Sequence, residues 1–134
     1  MLHAPIIAAP GQLLPPLSPD AYLKLRRQAS GLSIVEVAHI IAPTKRDRSE
    51  AVALVAMLEA PGCRARHDET LEALAAAFRF DVSVYRQLAD EPLERHPTVC
   101  RGCGCSEWDP CHVEHGCCGW ASRDACTRCA GRQS

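Results

Sequence analysis

The chain has 134 residues with 15 basic and 16 acidic side chains, which gives a formal net charge of −1. This balance excludes a global basic field that would attract nucleic acid, so any such contact requires a local patch. Because only two Trp, two Tyr and two Phe are present, the core must consist mostly of small and aliphatic side chains, which favours a mainly α-helical fold.

Residues 1–17 are rich in proline, which predicts a flexible or extended arm. The segment lacks the basic start and the unbroken apolar run of a secretory signal. No stretch of the sequence approaches the roughly 18–20 apolar residues that span a membrane. We therefore expect a cytoplasmic protein with no membrane partner, in a reducing compartment where cysteines bind metal more readily than they form disulfides.

A helical domain is predicted for residues 18–90, beginning with a helix at residues 20–30. Ser18 can cap this helix, and the proline that follows it suits the first turn. A spacing of 3.6 residues places Tyr22 and Leu25 on the buried face. The basic side chains off that face, which we expect at the surface, are Lys24, Arg26 and Arg27.

Ser33 and Glu36 have the spacing of a capping box, which opens a second helix. Pro43 ends that helix, because the residue before a proline resists helical angles. We interpret His39 within this helix as a half-buried core residue. A polar segment follows, and a third, apolar helix is predicted at residues 48–59.

Two further helices complete the predicted domain. A Pro-Gly break at residues 61–62 is followed by apolar spacing typical of a helix at residues 68–80 and of a short helix at residues 84–89. Residues 91–97 are predicted to form a linker. The isolated Cys63 is interpreted as a free structural cysteine.

Eight of the nine cysteines lie between residues 100 and 129, within a predicted module of residues 98–134. Two C-x-x-C pairs are typical of a zinc-ribbon or finger-like site, in which four thiolates enclose one ion and leave no position for substrate. The members of these pairs are Cys100, Cys103, Cys126 and Cys129. A module this short needs such an ion to fold. We interpret Trp120 as the hydrophobic plug beneath the site.

The inner cysteines leave several arrangements open. The candidates for a second site, or for a cluster that shares thiolates with the first, are Cys105, Cys111 and Cys118, with His115, His112 or Cys117 as a fourth ligand. We expect one or two zinc ions. An iron–sulfur cluster, which also accepts four cysteines, is the alternative. Any inner cysteine can also be a free thiol in a small core.

Three runs of sequence resemble known proteins. LKLRRQASGLSIVEVAHIIA (23–42) and TLEALAAAFRFDVSVYRQLAD (70–90) resemble the first two and the last two helices of the lambda-repressor-like (XRE-type) DNA-binding domain. CRGCGCSEWDPCHVEHGCCGWASRDACTRC (100–129) resembles a cysteine-rich module of phage- and prophage-associated bacterial proteins. The resemblance implies a helix-turn-helix bundle and a DNA-binding transcription regulator of phage type.

The same resemblance assigns residues to a DNA interface. Those it places at the groove, at the start of the third helix, are Thr44, Lys45, Arg46, Arg48 and Ser49. Those it places at flanking phosphates are Lys24, Arg26 and Arg27. DNA is therefore the partner that the resemblance implies.

Other functions remain open at this point. The basic run after Pro43 is also compatible with a solvated charged segment that has no ligand. The apolar third helix favours a protein-interaction adaptor or a homodimer, and the clustered thiols favour a redox or metal sensor. We expect no enzyme and no small-molecule substrate, because the sequence has no phosphate-binding glycine loop, nucleophile elbow or H-E-x-x-H motif.

Overall fold

Helices dominate the computed structural model, which describes residues 16–113, 116–122 and 124–132. In chain order, this part of the protein contains α1 (Pro19–Ala29), α2 (Ile34–Ile41), α3 (Lys45–Leu58), α4 (Asp68–Ala77), α5 (Val82–Asp90), a 3-10 helix (Leu93–Arg95), β1 (His112–Val113), β2 (Gly116–Cys117), β3 (Trp120–Ser122), β4 (Ala125–Cys126) and α6 (Thr127–Arg132). The predicted mainly helical fold is confirmed. No helix in these ranges is both long and apolar enough to cross a membrane. Nearly all of the predicted arm, residues 1–15, lies outside the described residues.

The first two helices begin where their capping residues predict. At the start of α1 the Ser18 hydroxyl accepts a hydrogen bond from the Ala21 N–H at 3.4 Å. At the start of α2 the Ser33 hydroxyl accepts from the Glu36 N–H, and the Glu36 carboxylate accepts from the Ser33 N–H, both at 3.1 Å. The predicted capping box is therefore confirmed.

The connection between α2 and α3 is shorter than its composition predicts. Helix α3 begins at Lys45 instead of residue 48. Two side-chain contacts favour this early start: Thr44 donates its hydroxyl to the Asp47 carboxylate at 2.8 Å, and Arg48 donates to the Pro43 carbonyl at 3.1 Å. An acidic residue in the first turn also suits the positive end of the helix dipole. Only three residues therefore separate the two helices.

Helices α4 and α5 also differ from their predicted limits. Helix α4 ends at Ala77, because Phe78 adopts extended backbone angles and places its ring in the core, 5.4 Å from the ring of Phe80. Helix α5 begins at Val82 instead of residue 84. The Asp81 carboxylate accepts the N–H groups two and three residues further on, at 2.8 and 3.2 Å, which caps this earlier start.

The core of the helical domain draws on all five helices. Its side chains that are at most 1% exposed include Tyr22, Leu23, Val37, Val55, Leu58, Leu74, Val84 and Tyr85. The hydroxyl of Tyr22 accepts the Asp81 N–H at 3.0 Å, which fixes the start of α5 against α1. Burial raises the pKa of Tyr22 to about 12, because a buried phenolate would lose its hydration.

Three polar side chains do not lie where helical periodicity places them. Arg26 and Arg27, expected at the surface, are only 6% and 8% exposed and pair with carboxylates. Arg27 donates to both oxygens of Glu59 at 2.6 and 2.7 Å, which holds α1 against the end of α3. His39, expected to be half-buried, is exposed. The arginine predictions were wrong because periodicity ranks side chains by hydrophobicity, whereas an arginine stem can be buried once its charge is paired. The prediction for His39 was wrong because Val37 and Ala38 form the buried face of α2.

The carboxy-terminal module contains two small hairpins and a short helix. Strand β1 pairs antiparallel with β2, and β3 with β4, before α6. The indole of Trp120, predicted to be the plug, is 38% exposed, and that of Trp108 is 70% exposed. The prediction for Trp120 was wrong, because cysteine side chains fill the centre of the module instead.

Candidate metal centre

Seven cysteines of the module bring their side chains into one cluster. The buried members are Cys100, Cys103, Cys105, Cys111, Cys126 and Cys129, and the partly buried member is Cys118. All seven are free of disulfide bonds, as is Cys63, which lies in the turn after α3. The predicted cysteine cluster, compatible with metal binding, is confirmed.

A tight loop presents the first three sulfurs, those of Cys100, Cys103 and Cys105. The Gly104 N–H donates to the Cys100 carbonyl, and the Cys100 N–H donates to the Cys105 carbonyl, both at 2.8 Å. The Gly102 N–H is directed at the Cys100 sulfur at 3.3 Å. A Cβ at Gly102 would lie 2.8 Å from the sulfur of Cys129, so glycine is what lets the second half of the module approach this loop.

The other sulfurs come from the hairpins and α6. Cys111 precedes β1 and Cys118 follows β2. The Cys118 N–H donates to the Cys111 carbonyl at 3.0 Å, and the Cys111 N–H donates to the Cys118 sulfur at 3.2 Å. Cys126 ends β4, and its sulfur accepts the Cys129 N–H at 3.5 Å. N–H groups directed at sulfur stabilise the thiolate form that binds metal.

The sulfur atoms form two groups of four, and within each group all four lie within 4.8 Å of one another. The first group is Cys100, Cys103, Cys105 and Cys126, and the second is Cys105, Cys111, Cys118 and Cys126. The sulfur of Cys103 lies 3.9 Å from that of Cys126 in the first group, and the sulfur of Cys105 lies 3.7 Å from that of Cys118 in the second group. A tetrahedral ion with sulfur bonds of about 2.3 Å holds its ligands about 3.8 Å apart. The donor set and its spacing therefore suit a tetrahedral metal ion.

The structure brings together most of the predicted ligands. Cys105 takes the place predicted for Cys129 in the first group, although the Cys129 sulfur is buried nearby. Cys111 and Cys118 lie together as expected, and Cys105 and Cys126 complete their group. The predicted ligands whose side chains lie outside the described part of the chain are His112, His115 and Cys117.

Burial and neighbouring thiols shift the pKa values of these cysteines in opposite directions. The hydrogen bond with the Cys103 thiol lowers the pKa of Cys100. That bond, together with burial, raises the pKa of Cys103. Burial also raises the pKa of Cys105 and of Cys118. Since these sulfurs cannot all be charged without a cation among them, metal binding must release protons.

A buried ion pair ties the module to α1. The Asp109 carboxylate accepts from Arg26 at 3.0 Å and from Arg79 at 2.5 Å, and the side chains of Arg26 and Asp109 are only 7% and 11% exposed. Arg26 also donates to the Cys103 carbonyl at 3.3 Å. A Cβ at Gly104 would lie 2.7 Å from the Arg26 side chain, so glycine permits this approach. No local pattern predicts the contact, because Arg26 and Asp109 are 83 residues apart in sequence.

The residues that the resemblance assigns to DNA are not all accessible. The exposed ones, at the start of α3 and on α1, are Thr44, Lys45, Arg46, Ser49 and Lys24. Arg48 is half-buried and bonds the Pro43 carbonyl. Arg26 and Arg27 face carboxylates of this chain and are therefore unsuited to contact phosphates.

Fold and site together define a small helical domain that carries a cysteine-built module able to hold metal. Comparisons of the chain with models of protein families, with curated proteins and with solved structures find no match. The chemistry of the chain's own residues is therefore what indicates its function.

Proposed function

We propose that the module binds zinc as a structural ion and that the helical domain it supports is a DNA-binding transcription regulator of phage type. The zinc part rests on four buried sulfurs that lie within 4.8 Å of one another, those of Cys100, Cys103, Cys105 and Cys126. Four thiolates complete a tetrahedral shell, which leaves no position for water or substrate. Such an ion stabilises structure and does not act in catalysis.

Zinc suits this donor set better than other metals do. Thiolate-only sites select soft or borderline ions, whereas magnesium and calcium require oxygen ligands. An iron–sulfur cluster places iron and inorganic sulfide among its cysteines, so its cysteine sulfurs stand further apart than these. The burial of the sulfurs also favours a structural ion over a redox sensor, whose thiolates must be reachable by an oxidant.

Metal analysis of protein purified without added metal tests the zinc proposal. We expect a colourless protein with stoichiometric zinc, and a lower zinc content in Cys100→Ser. The matched control Cys63→Ser removes a cysteine outside the cluster and should keep the zinc content of the wild type. A brown protein that contains iron and sulfide would contradict the proposal, as would a fully folded protein without metal.

The DNA part of the proposal is supported by the connection between α2 and α3. A three-residue turn between two helices is typical of a helix-turn-helix, in which the first turns of the second helix enter the major groove. Here those turns expose Thr44, Lys45, Arg46 and Ser49. Lys24, exposed on α1, is suited to contact a flanking phosphate.

Two matched double variants test DNA binding. Lys45→Ala with Arg46→Ala removes two charges from α3, and Arg66→Ala with Arg95→Ala removes two exposed charges elsewhere. We expect the first pair to weaken binding to duplex DNA and to reduce the salt slope of log K by about two, and the second pair to bind like the wild type. Equal binding by both pairs counts against this interface. A wild-type protein that binds no random duplex at about 50 mM salt rules out the DNA proposal.

A protein-interaction adaptor is the second candidate, and exposed apolar side chains on α2 and α3 favour it. Val35, Ile40 and Met57 are 52%, 48% and 51% exposed. Where exposed apolar side chains form a contiguous patch, they mark contacts with other proteins. Two measurements separate these candidates: sedimentation of the protein alone and with cell extract, and binding to duplex DNA. A monomer that binds duplex DNA favours the regulator. A protein that sediments in a discrete complex and has no DNA affinity favours the adaptor.

A further inference from the structure

The two groups of sulfurs overlap at two members. Cys105 and Cys126 belong to both groups, so six sulfurs fill the eight ligand positions of two tetrahedral ions. Two tetrahedra that share an edge have this composition. We infer that the module holds two zinc ions in one cluster, with Cys105 and Cys126 bridging them. The inference rests on the proposed zinc site and specifies how its ligands are divided.

The burial of the cysteines agrees with this division. Cys105 and Cys126, the shared pair, are both 0% exposed, as expected for atoms at the centre of a cluster. Cys103 and Cys111 are 8% and 7% exposed, and Cys118 is only partly buried. Cys100 is also 0% exposed, so three of the four unshared ligands, and not all four, are more exposed than the shared pair.

A single ion would leave the second group without a role. If the first group alone bound zinc, the thiols of Cys111 and Cys118 would remain beside bound thiolates. The sulfur of Cys118 lies 3.7 Å from that of Cys105, and the sulfur of Cys111 lies within 4.8 Å of those of Cys105 and Cys126. The Cys111 N–H donates a hydrogen bond to the Cys118 sulfur, and such a bond stabilises a thiolate. A second ion uses both of these sulfurs as ligands.

The net charge of the cluster also favours two ions that share thiolates. Two zinc ions in separate four-thiolate sites carry a net charge of about −4, whereas the same ions with six thiolates carry about −2. A smaller net charge reduces the desolvation cost of a buried cluster. Cys129 is then a buried sulfur that neither ion requires.

Cadmium NMR of the full-length wild-type protein tests the inference directly. The isotope ¹¹³Cd replaces zinc in thiolate sites and gives one signal per bound ion, and two nuclei that share a sulfur ligand are scalar-coupled. We expect two equivalents of cadmium and two mutually coupled signals. The experiment uses no substitution, so its result does not depend on whether a variant folds.

Substitutions then distinguish shared ligands from unshared ones. Cys118→Ser removes a ligand of one ion only and should retain one equivalent of metal, whereas Cys105→Ser should retain less than one because it damages both sites. Cys129→Ser and Cys63→Ser should each retain two equivalents.

The outcomes separate this inference from the zinc proposal. One equivalent of cadmium in the wild type, or two signals without coupling, would overturn the shared cluster and leave structural zinc standing. Equal metal loss in Cys105→Ser and Cys118→Ser would also overturn it. A wild-type protein that binds neither zinc nor cadmium would overturn both.

Discussion

The interior of the helical domain and the interior of the cysteine module are built from different side chains. From α1 to α5 the interior is aliphatic and aromatic, with Tyr22, Leu74 and Val84 fully buried. In the module the buried cluster consists of cysteines, while Trp108 and Trp120 are exposed. Burial of a large apolar side chain contributes about 1.5–3 kcal/mol, whereas buried thiols contribute most when they bind an ion. The helical domain is therefore stabilised by its own side chains, whereas the module, with the zinc site proposed above, depends on its metal ion.

The largest expected effect of a single substitution is on the stability of the helical domain, whose interior is apolar. Leu74 is 0% exposed, so Leu74→Ala should lower the free energy of unfolding by about 2–5 kcal/mol. Urea denaturation followed by circular dichroism measures this loss. Leu93→Ala is the control, because that side chain is 59% exposed and should change stability by about 0.5 kcal/mol or less. Equal stability of the two variants would show that Leu74 is not a core residue.

A somewhat smaller effect is expected where the two regions meet. Asp109→Asn leaves the buried guanidinium of Arg26 without its opposite charge, which should cost about 3 kcal/mol. The zinc content should not change, because Asp109 is not a ligand. Asp90→Asn is the control, since its ion pair with Arg64 is exposed and contributes about 0–1 kcal/mol. If Asp109→Asn is as stable as this control, the junction does not depend on the ion pair.

A third effect is the loss of stability that follows from ionisation of a buried tyrosine of the helical core at alkaline pH. Burial raises the pKa of Tyr22 to about 12, above its value of about 10 in an unfolded chain. The folded state therefore favours the neutral phenol, and this contribution is complete below about pH 10 and is lost as the pH rises towards 12. Between about pH 9 and pH 12, the free energy of unfolding should therefore fall by about 2 kcal/mol less in Tyr22→Phe than in the wild type. Urea denaturation at the two pH values measures it, and identical pH dependence in both proteins would refute the assignment.

Local signals predicted most of the helical domain. Ser18, Ser33 and Glu36 mark the starts of α1 and α2 because a cap acts within a single turn. Polar composition predicts a loop from Thr44 onward and therefore a start of α3 that is too late, whereas the Thr44–Asp47 contact begins the helix there. Polar composition alone does not distinguish an exposed first turn from a connection.

Long-range contacts could not be predicted in the same way. The burial of Arg26 depends on Asp109, and only the folded chain brings the two together. The C-x-x-C spacing indicates which cysteines share a loop, and it predicts the cysteine cluster that the structure shows. It does not indicate that Cys105 joins the first group in place of Cys129, because that depends on how the hairpins bring Cys126 to the loop.

Hydrogen exchange of the backbone amides, measured before and after exhaustive chelation, tests most directly whether metal holds the module together. The metal-dependent account predicts that amides between Cys100 and Cys129 lose their protection after chelation, while those of α4 and α5 keep theirs. Undiminished protection of the module after chelation, or sulfurs joined to one another as disulfides, would contradict it.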